Sequence, residues 1–347
     1  MTMPTRIRAA RSVAVLALCA ASCMAWGQTV KITPLGSNTG ELCGRDRAMV
    51  IEDPSGLRLL YDPGQTLTGA NDARVGKIDV ILVSHAHGDH IGDRTLKAVG
   101  TGACDNAETV ANFATMAGEI AAARNSALVV MQQMGLFLGR KIETLRGKPT
   151  GACPEKAGEV TTPLAAPCLA TTHTGGTRKF RMPNAANAVE ITMVTAAHDN
   201  TIPRELLHEG TRKLLDADNM SLTLGPPSGY VVRFSNGLVA YLSGDTGMHA
   251  EMKSVVGDYY KANLMVLNLG ATAVTMQEAA HIANDLVRPA SVIATHVNET
   301  ATVNGKLRPG SRTAEFTALV TARPVYPAIS GKTLEFNGAG ACVAGCD

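Results

Sequence analysis

Aromatic side chains are scarce, at 4% of the 347 residues with a single tryptophan, and no long run of lysine or arginine is present. A nucleic-acid groove needs stacking rings and a basic stripe, so nothing here suggests one. Charge is also thin: charged residues make up 18% against 45% hydrophobic, and the formal net charge is +2. That balance excludes wholesale disorder and allows one large packed α/β unit with an insertion. The apolar run at residues 13–24 is too short to span a bilayer comfortably, and no second run follows it. A Cys-x-x-Cys pair is missing as well, which argues against cysteine-based metal binding.

What is present begins with a basic start at Arg6, Arg8 and Arg11, ahead of that apolar run and of Ala25-Trp26-Gly27. The pattern reads as an export signal over residues 1–27, cleaved after Gly27 to leave a domain over 28–347. An uncleaved anchor helix and lipid attachment at Cys23 are alternative readings. A periplasmic or secreted protein is therefore expected, with no membrane span in its mature form. Six cysteines remain beyond the leader: Cys43, Cys104, Cys153, Cys168, Cys342 and Cys346. An even count suits disulfides in an oxidising compartment, although it does not fix their pairing. Cys342 and Cys346 are close enough to close a small loop, and Cys153 and Cys168 could staple the Pro- and Gly-rich stretch between them.

Strands are expected at 30–34, 48–52 and 57–61, the last two joined by a turn at Asp53-Pro54-Ser55-Gly56. The unbroken apolar stretch within 78–83 predicts a fully buried strand. Residues 103–186 break the rhythm and read as a partly helical insertion, with helices over 107–123 and 126–145 and then a loop. Met131, Met134, Leu136 and Phe137 admit two readings there, core packing or an apolar wall over an active site. Strands resume at 188–195, 229–234 and 238–242, with a hairpin at Asn236-Gly237, then at 264–267. Thr275-Met276-Gln277-Glu278 is a capping box opening a helix to residue 286, and a strand follows at 291–295. The sum is a layered α/β sandwich.

The chemistry concentrates in Ser84-His85-Ala86-His87-Gly88-Asp89-His90, directly after the buried strand. Alternating side chains let His85 and His87 project the same way and grip one metal ion. A tight turn at Gly88 lets Asp89 and His90 face a second ion. A mixed histidine and carboxylate set is the pattern of a catalytic site with an open position.

This motif resembles the signature of the metallo-β-lactamase superfamily. The resemblance implies a four-layer αβ/βα sandwich binding two divalent metal ions, with zinc expected, and hydrolysis of a small-molecule substrate. It also implies further ligands: His198 after the strand at 188–195, Asp245 in the Ser243-Gly244-Asp245-Thr246-Gly247 turn, and His296 after the last strand. One ion would be held by His85, His87 and His198, the other by Asp89, His90 and His296, with Asp245 bridging. Asp62, in Asp62-Pro63-Gly64, would orient a ligand histidine. A metal-bridging hydroxide would be the nucleophile, and Asp89 is a candidate to steer its proton. His173, His208, His249 and His281 read as surface or packing residues, with His249 the nearest in sequence to Asp245.

Within the superfamily, the Asp62, Asp245 and His296 contexts look most like the branch of sugar-lactone hydrolases and N-acyl phospholipid phosphodiesterases. A lactone, ester or phosphodiester substrate is then expected. A β-lactamase acting on antibiotics and a non-catalytic metal-binding protein are the alternatives.

Overall fold

A computed structural model describes residues 28–104, 107–270 and 272–347; the expected export signal lies outside them. Strand β1 (Val30–Pro34) turns Val30 and Ile32 inward and leaves Lys31 exposed, the alternation of a strand with one covered face. It pairs antiparallel with β2 (Met49–Glu52), which pairs antiparallel with β3 (Arg58–Tyr61) across the expected hairpin. Asp53 shapes that turn by accepting the Ser55 N–H at 2.8 Å. β4 (Val80–Leu82) then joins β3 in parallel and is wholly buried, as its apolar run requires. The short helix α1 (Gly88–Ile91) follows it.

The two helices expected next begin later than the sequence suggests. Thr109–Ala111 is extended and pairs with Arg94–Leu96, and α2 (Met116–Arg124) starts only where the Thr115 hydroxyl accepts the Gly118 N–H. Residues 126–145 divide into the strand β5 (Ala127–Val129) and the helix α3 (Gln132–Arg146). The cause is tertiary: β5 is walled in by β4, so an all-apolar triplet is stable there as extended chain. β6 (Val160–Thr161), β7 (Cys168–Leu169) and β8 (Thr177–Arg181) also join the main sheets. The stretch 103–186 is thus woven into the sandwich, with α2 and α3 packed on each other.

The chain continues as an antiparallel meander of β9 (Val189–Thr195), β10 (Ser228–Arg233) and β11 (Val239–Leu242). Parallel crossovers follow: helix α4 (Met252–Tyr259), strand β12 (Leu264–Asn268), helix α5 (Met276–His281) running into a wider turn, strand β13 (Ser291–Thr295), helix α6 (Arg312–Leu319) and strand β14 (Val325–Pro327). The capping box at Thr275 and Glu278 opens α5 as expected. β15 (Leu334–Phe336) returns to β1, and β16 (Cys342–Ala344) closes that edge.

Two eight-stranded sheets result, in the orders β7-β5-β4-β3-β2-β1-β15-β16 and β6-β8-β9-β10-β11-β12-β13-β14. One apolar core joins them. Two buried tyrosines tie sheet to sheet: the Tyr230 hydroxyl lies 2.7 Å from the Val83 carbonyl, and the Tyr61 hydroxyl accepts the Gly244 N–H at 2.9 Å. Each satisfies a polar group that the core would otherwise leave unpaired. Among the described residues no helix is long and apolar enough to cross a membrane. The layered α/β sandwich expected from sequence is the architecture observed. Its parallel strands end together, and ligand sites in such sheets gather beyond the carboxyl ends of the strands.

Candidate metal centre

Every candidate ligand, and Asp62 behind them, sits just past the carboxyl end of a strand. Asp62 follows β3, the His85–His90 cluster follows β4, His198 follows β9, Asp245 follows β11 and His296 follows β13. Two backbone features aim these loops. Gly88 has no room for a side chain, since a Cβ there would fall 2.1 Å from Asp93 Oδ2. Gly244 has φ 61°, and a Cβ would fall 2.6 Å from the Ser228 carbonyl oxygen. At Gly244 the left-handed backbone lets the chain turn abruptly and present Asp245, while Gly88 opens α1, whose first turn presents Asp89 and His90.

The side chains converge in three sets whose ligand atoms could each hold an ion: His85 with His87 and His198, Asp89 with His90 and His296, and His85 with His90 and Asp245. Asp245 lies between the first two sets. Its Oδ1 is 2.9 Å from His296 Nε2 and 3.5 Å from His90 Nε2, while its Oδ2 is 3.7 Å from His198 Nε2. The structure therefore brings together all seven residues that the sequence nominated as ligands.

Asp62 stands behind them. It accepts the Ser84 N–H at 2.7 Å and the Ser84 hydroxyl at 2.9 Å, and it lies 2.9 Å from His90 Nδ1. The Nδ1–H is thereby directed at Asp62, leaving His90 Nε2 to face the cluster. Ser84 Oγ likewise lies 3.0 Å from His85 Nδ1. His85 Nε2 is buried and has no protein partner. His90 Nε2 and His296 Nε2 face one another at 3.2 Å. Orphaned ring nitrogens and paired acceptors are costly in a protein interior, and a cation between them removes the cost. These residues fit divalent metal ions on that ground, and the nitrogen and carboxylate donor set fits zinc chemistry.

Charge in the protein-only cluster is sharply uneven. Burial raises the Asp245 carboxyl, but the positive charge of His90 and His296 outweighs it and holds Asp245 well below the ordinary carboxylate range. Burial pushes His85 down, and neighbouring His90 adds to the effect. His90 goes the other way: burial opposes its charged form, yet Asp245, Asp62 and Asp89 together hold it well above the usual imidazole range.

Several residues at the centre carried no assigned role in the sequence reading. Asn200 is buried and stitches the motif to the second sheet, its Oδ1 accepting the Ala86 N–H at 2.6 Å and its Nδ2 donating to the Leu224 and Gly225 carbonyls. Asp199 Oδ1 lies 3.0 Å from His87 Nε2, which leaves His87 Nδ1 for an ion. Although partial burial disfavours its charge, backbone and hydroxyl donation from Thr201, with the His87 contact, lowers its carboxyl to about 2. Asn268 braces the Asp245 turn by donating to the Gly244 carbonyl at 3.0 Å. Arg47 donates from Nε and Nη2 to Asp89 Oδ2, at 3.2 and 3.1 Å. Only adjacency hinted at Asp199 and Asn200; nothing local marks Asn268 or Arg47.

The remaining histidines stay outside the three sets. His173, His208 and His281 are exposed, and His208 caps a helix through the Gly210 N–H. His249 is half-buried, with both ring nitrogens lacking partners. Met131 and Met134 are buried in the core while Leu136 is exposed, so packing accounts for the two methionines.

Comparison with known proteins agrees with this geometry. The family model described as the beta-lactamase superfamily domain matches residues 46–296, more than half of the chain. A UPF0173 metal-dependent hydrolase of Polynucleobacter asymbioticus is 26% identical over 300 residues, covering 82% of each chain. A second, of Cupriavidus taiwanensis, is 28% identical over 262 residues, covering 74% of this chain and 73% of its own. Among solved structures, Igni18, a metallo hydrolase from the archaeon Ignicoccus hospitalis, superposes with a TM-score of 0.54 at 19% identity, covering 89% of this chain and 99% of its own. The two-sheet sandwich, the histidine and aspartate cluster at its strand ends and the match across that span lead to one conclusion: the chain belongs to the beta-lactamase superfamily, with the metallo-β-lactamase fold, and is a metal-dependent hydrolase.

Proposed function

We propose that the protein is an exported hydrolase that works with two divalent ions, zinc by donor chemistry, on a lactone, ester or phosphodiester. The observation that carries the two-ion reading is Asp245, whose two oxygens face different histidine sets, Oδ1 toward His90 and His296 and Oδ2 toward His198. His85, His87 and His198 would hold one ion, Asp89, His90 and His296 the other, and Asp245 would contact both. When bound, such a pair supplies Lewis acidity and lowers the pKa of water toward 7. Asp62 keeps His90 in the tautomer that offers Nε2. Asp89, whose Oδ2 is engaged by Arg47, would serve as a ligand and is also the candidate to steer the nucleophile's proton. Export is supported by three disulfides, Cys43–Cys104, Cys153–Cys168 and Cys342–Cys346, which fit an oxidising compartment.

Metal analysis of the purified protein, run beside a panel of a lactone, an aryl ester, a bis-aryl phosphodiester and a β-lactam, tests this. Two ions per chain with chelator-sensitive turnover of one of the first three substrates is expected. Preference for the β-lactam would replace the substrate class, and one ion per chain would remove the dinuclear reading. Finding the protein in the cytoplasmic fraction of its host, with reduced thiols, would remove the export reading.

A further inference from the structure

Arg47 is almost wholly buried, with 4% of its side chain exposed. A guanidinium carries five N–H donors and cannot be neutralised in a protein. All five are used here. Nε and one Nη2 hydrogen go to Asp89 Oδ2, the other Nη2 hydrogen goes to Asn298 Oδ1, and Nη1 donates to the Gly44 and Asp46 carbonyls at 3.0 and 3.1 Å. No donor is left over for a substrate, which excludes direct recognition and points to positioning.

The two side chains that the fork joins belong to the loops of one ligand set. Asp89 is itself in that set, and Asn298 stands two residues past His296. His296 and Asn298 both adopt left-handed backbone, with φ of 50° and 54°, which turns the loop sharply on either side of Val297. Asp89 Oδ2, the oxygen Arg47 holds, also faces His296 Nε2 at 3.5 Å and His90 Nε2 at 3.9 Å. Arg47 therefore fixes the carboxylate oxygen and the return loop together, from a segment of chain that supplies no ligand.

We propose that Arg47 is a positioning residue for the second ion, setting its affinity by clamping Asp89 to the loop behind His296 while leaving the first set untouched. This rests on the two-ion reading above. Arg47 also places a positive charge near that ion, which by itself would weaken binding. A decisive test must hold this charge constant. Arg47→Lys does so while losing the planar fork. Asn298→Gly keeps Arg47 and the local charge, suits the left-handed backbone and removes the acceptor.

The metal-free forms of the wild type and both variants would be titrated with zinc alone by calorimetry, with cobalt spectra to tell the sites apart and thermal melting to confirm folding. For partners one step removed from a metal, losses are typically about 10–100-fold in affinity. Arg47→Lys is expected to lose second-ion affinity in that range with the first ion unchanged. Asn298→Gly should shift the second ion less, in the same direction. Equal second-ion affinity in the wild type, Arg47→Lys and Asn298→Gly would overturn the inference alone. Equal weakening of both ions would also overturn it, because a general structural role predicts that result. A wild type that binds a single ion would overturn the two-ion reading and this inference with it. If Arg47→Lys fails to fold, Asn298→Gly decides by itself, since Asn298 is exposed and its replacement leaves the charge unchanged.

Discussion

His87 and His198 are part-exposed, whereas His90 and His296 are almost fully buried, and the protein supports the two sets differently. The buried set is braced by Asp62 on His90, by Arg47 on Asp89 and by Asn298 behind His296. The open set leans on Ser84 behind His85, Asp199 beside His87 and Asn200 beneath the motif backbone. Burial explains the contrast between the histidine pairs, although His85 is wholly buried and Asp89 keeps a third of its side chain exposed, at 33%. A polar atom cut off from water must find a protein partner, while one at the surface can use solvent. His90, His296 and the buried His85 should thus be sensitive to residues that never touch an ion, and the part-exposed His87 and His198 less so.

Asp245→Ala breaks the comparison outright, because it removes the one carboxylate that faces both sets. Ions per chain should fall below two and turnover should drop by more than about 100-fold, beyond the usual loss for partners one step removed. Two tightly held ions by metal analysis would contradict the bridging placement. Asp62→Asn comes next: affinity for the second ion is expected to fall roughly 10–100-fold through His90, with a smaller loss at the first through Ser84 behind His85, read by competition with a chelator. Asn200→Ala tests the open side. It strands the buried Ala86 N–H and should cost about 1–3 kcal/mol of stability in a denaturant melt, with a smaller change in first-ion affinity than Asp62→Asn produces in the second. Asp199→Asn should do least, because its carboxylate is mostly exposed and solvent can replace it at His87. Turnover within about 10-fold of wild type is expected; a larger loss would mean Asp199 acts on substrate.

The expected strands and the hairpin at Asp53–Gly56 follow from alternation and turn chemistry within a few residues, and the structure has them. The stretch 126–145 is where local reading fails. Leu128 and Val129 suit a buried helix as well as a buried strand, and only the neighbouring β4 selects the strand. At the centre the pattern repeats. His85, His87, Asp89 and His90 declare themselves by spacing, and resemblance extends the set to His198, Asp245 and His296. Arg47 stayed invisible, since its partner Asp89 is 42 residues away and Asn298 is 251 away. The cysteine count allowed disulfides, but Cys43–Cys104 needed the fold to join residues 61 apart.

Elements with local causes are legible along the chain: apolar runs that must be buried, turns that need Asp, Pro or Gly, and a dense cluster of metal-binding side chains after one strand. Tertiary structure decided which atoms meet. Parallel crossovers in both sheets bring five strand ends to one place. Only there do the two oxygens of Asp245 face different histidines and Arg47 find Asp89, because a side chain's partner is fixed by distance in space, and spacing along the chain constrains that only over a few residues.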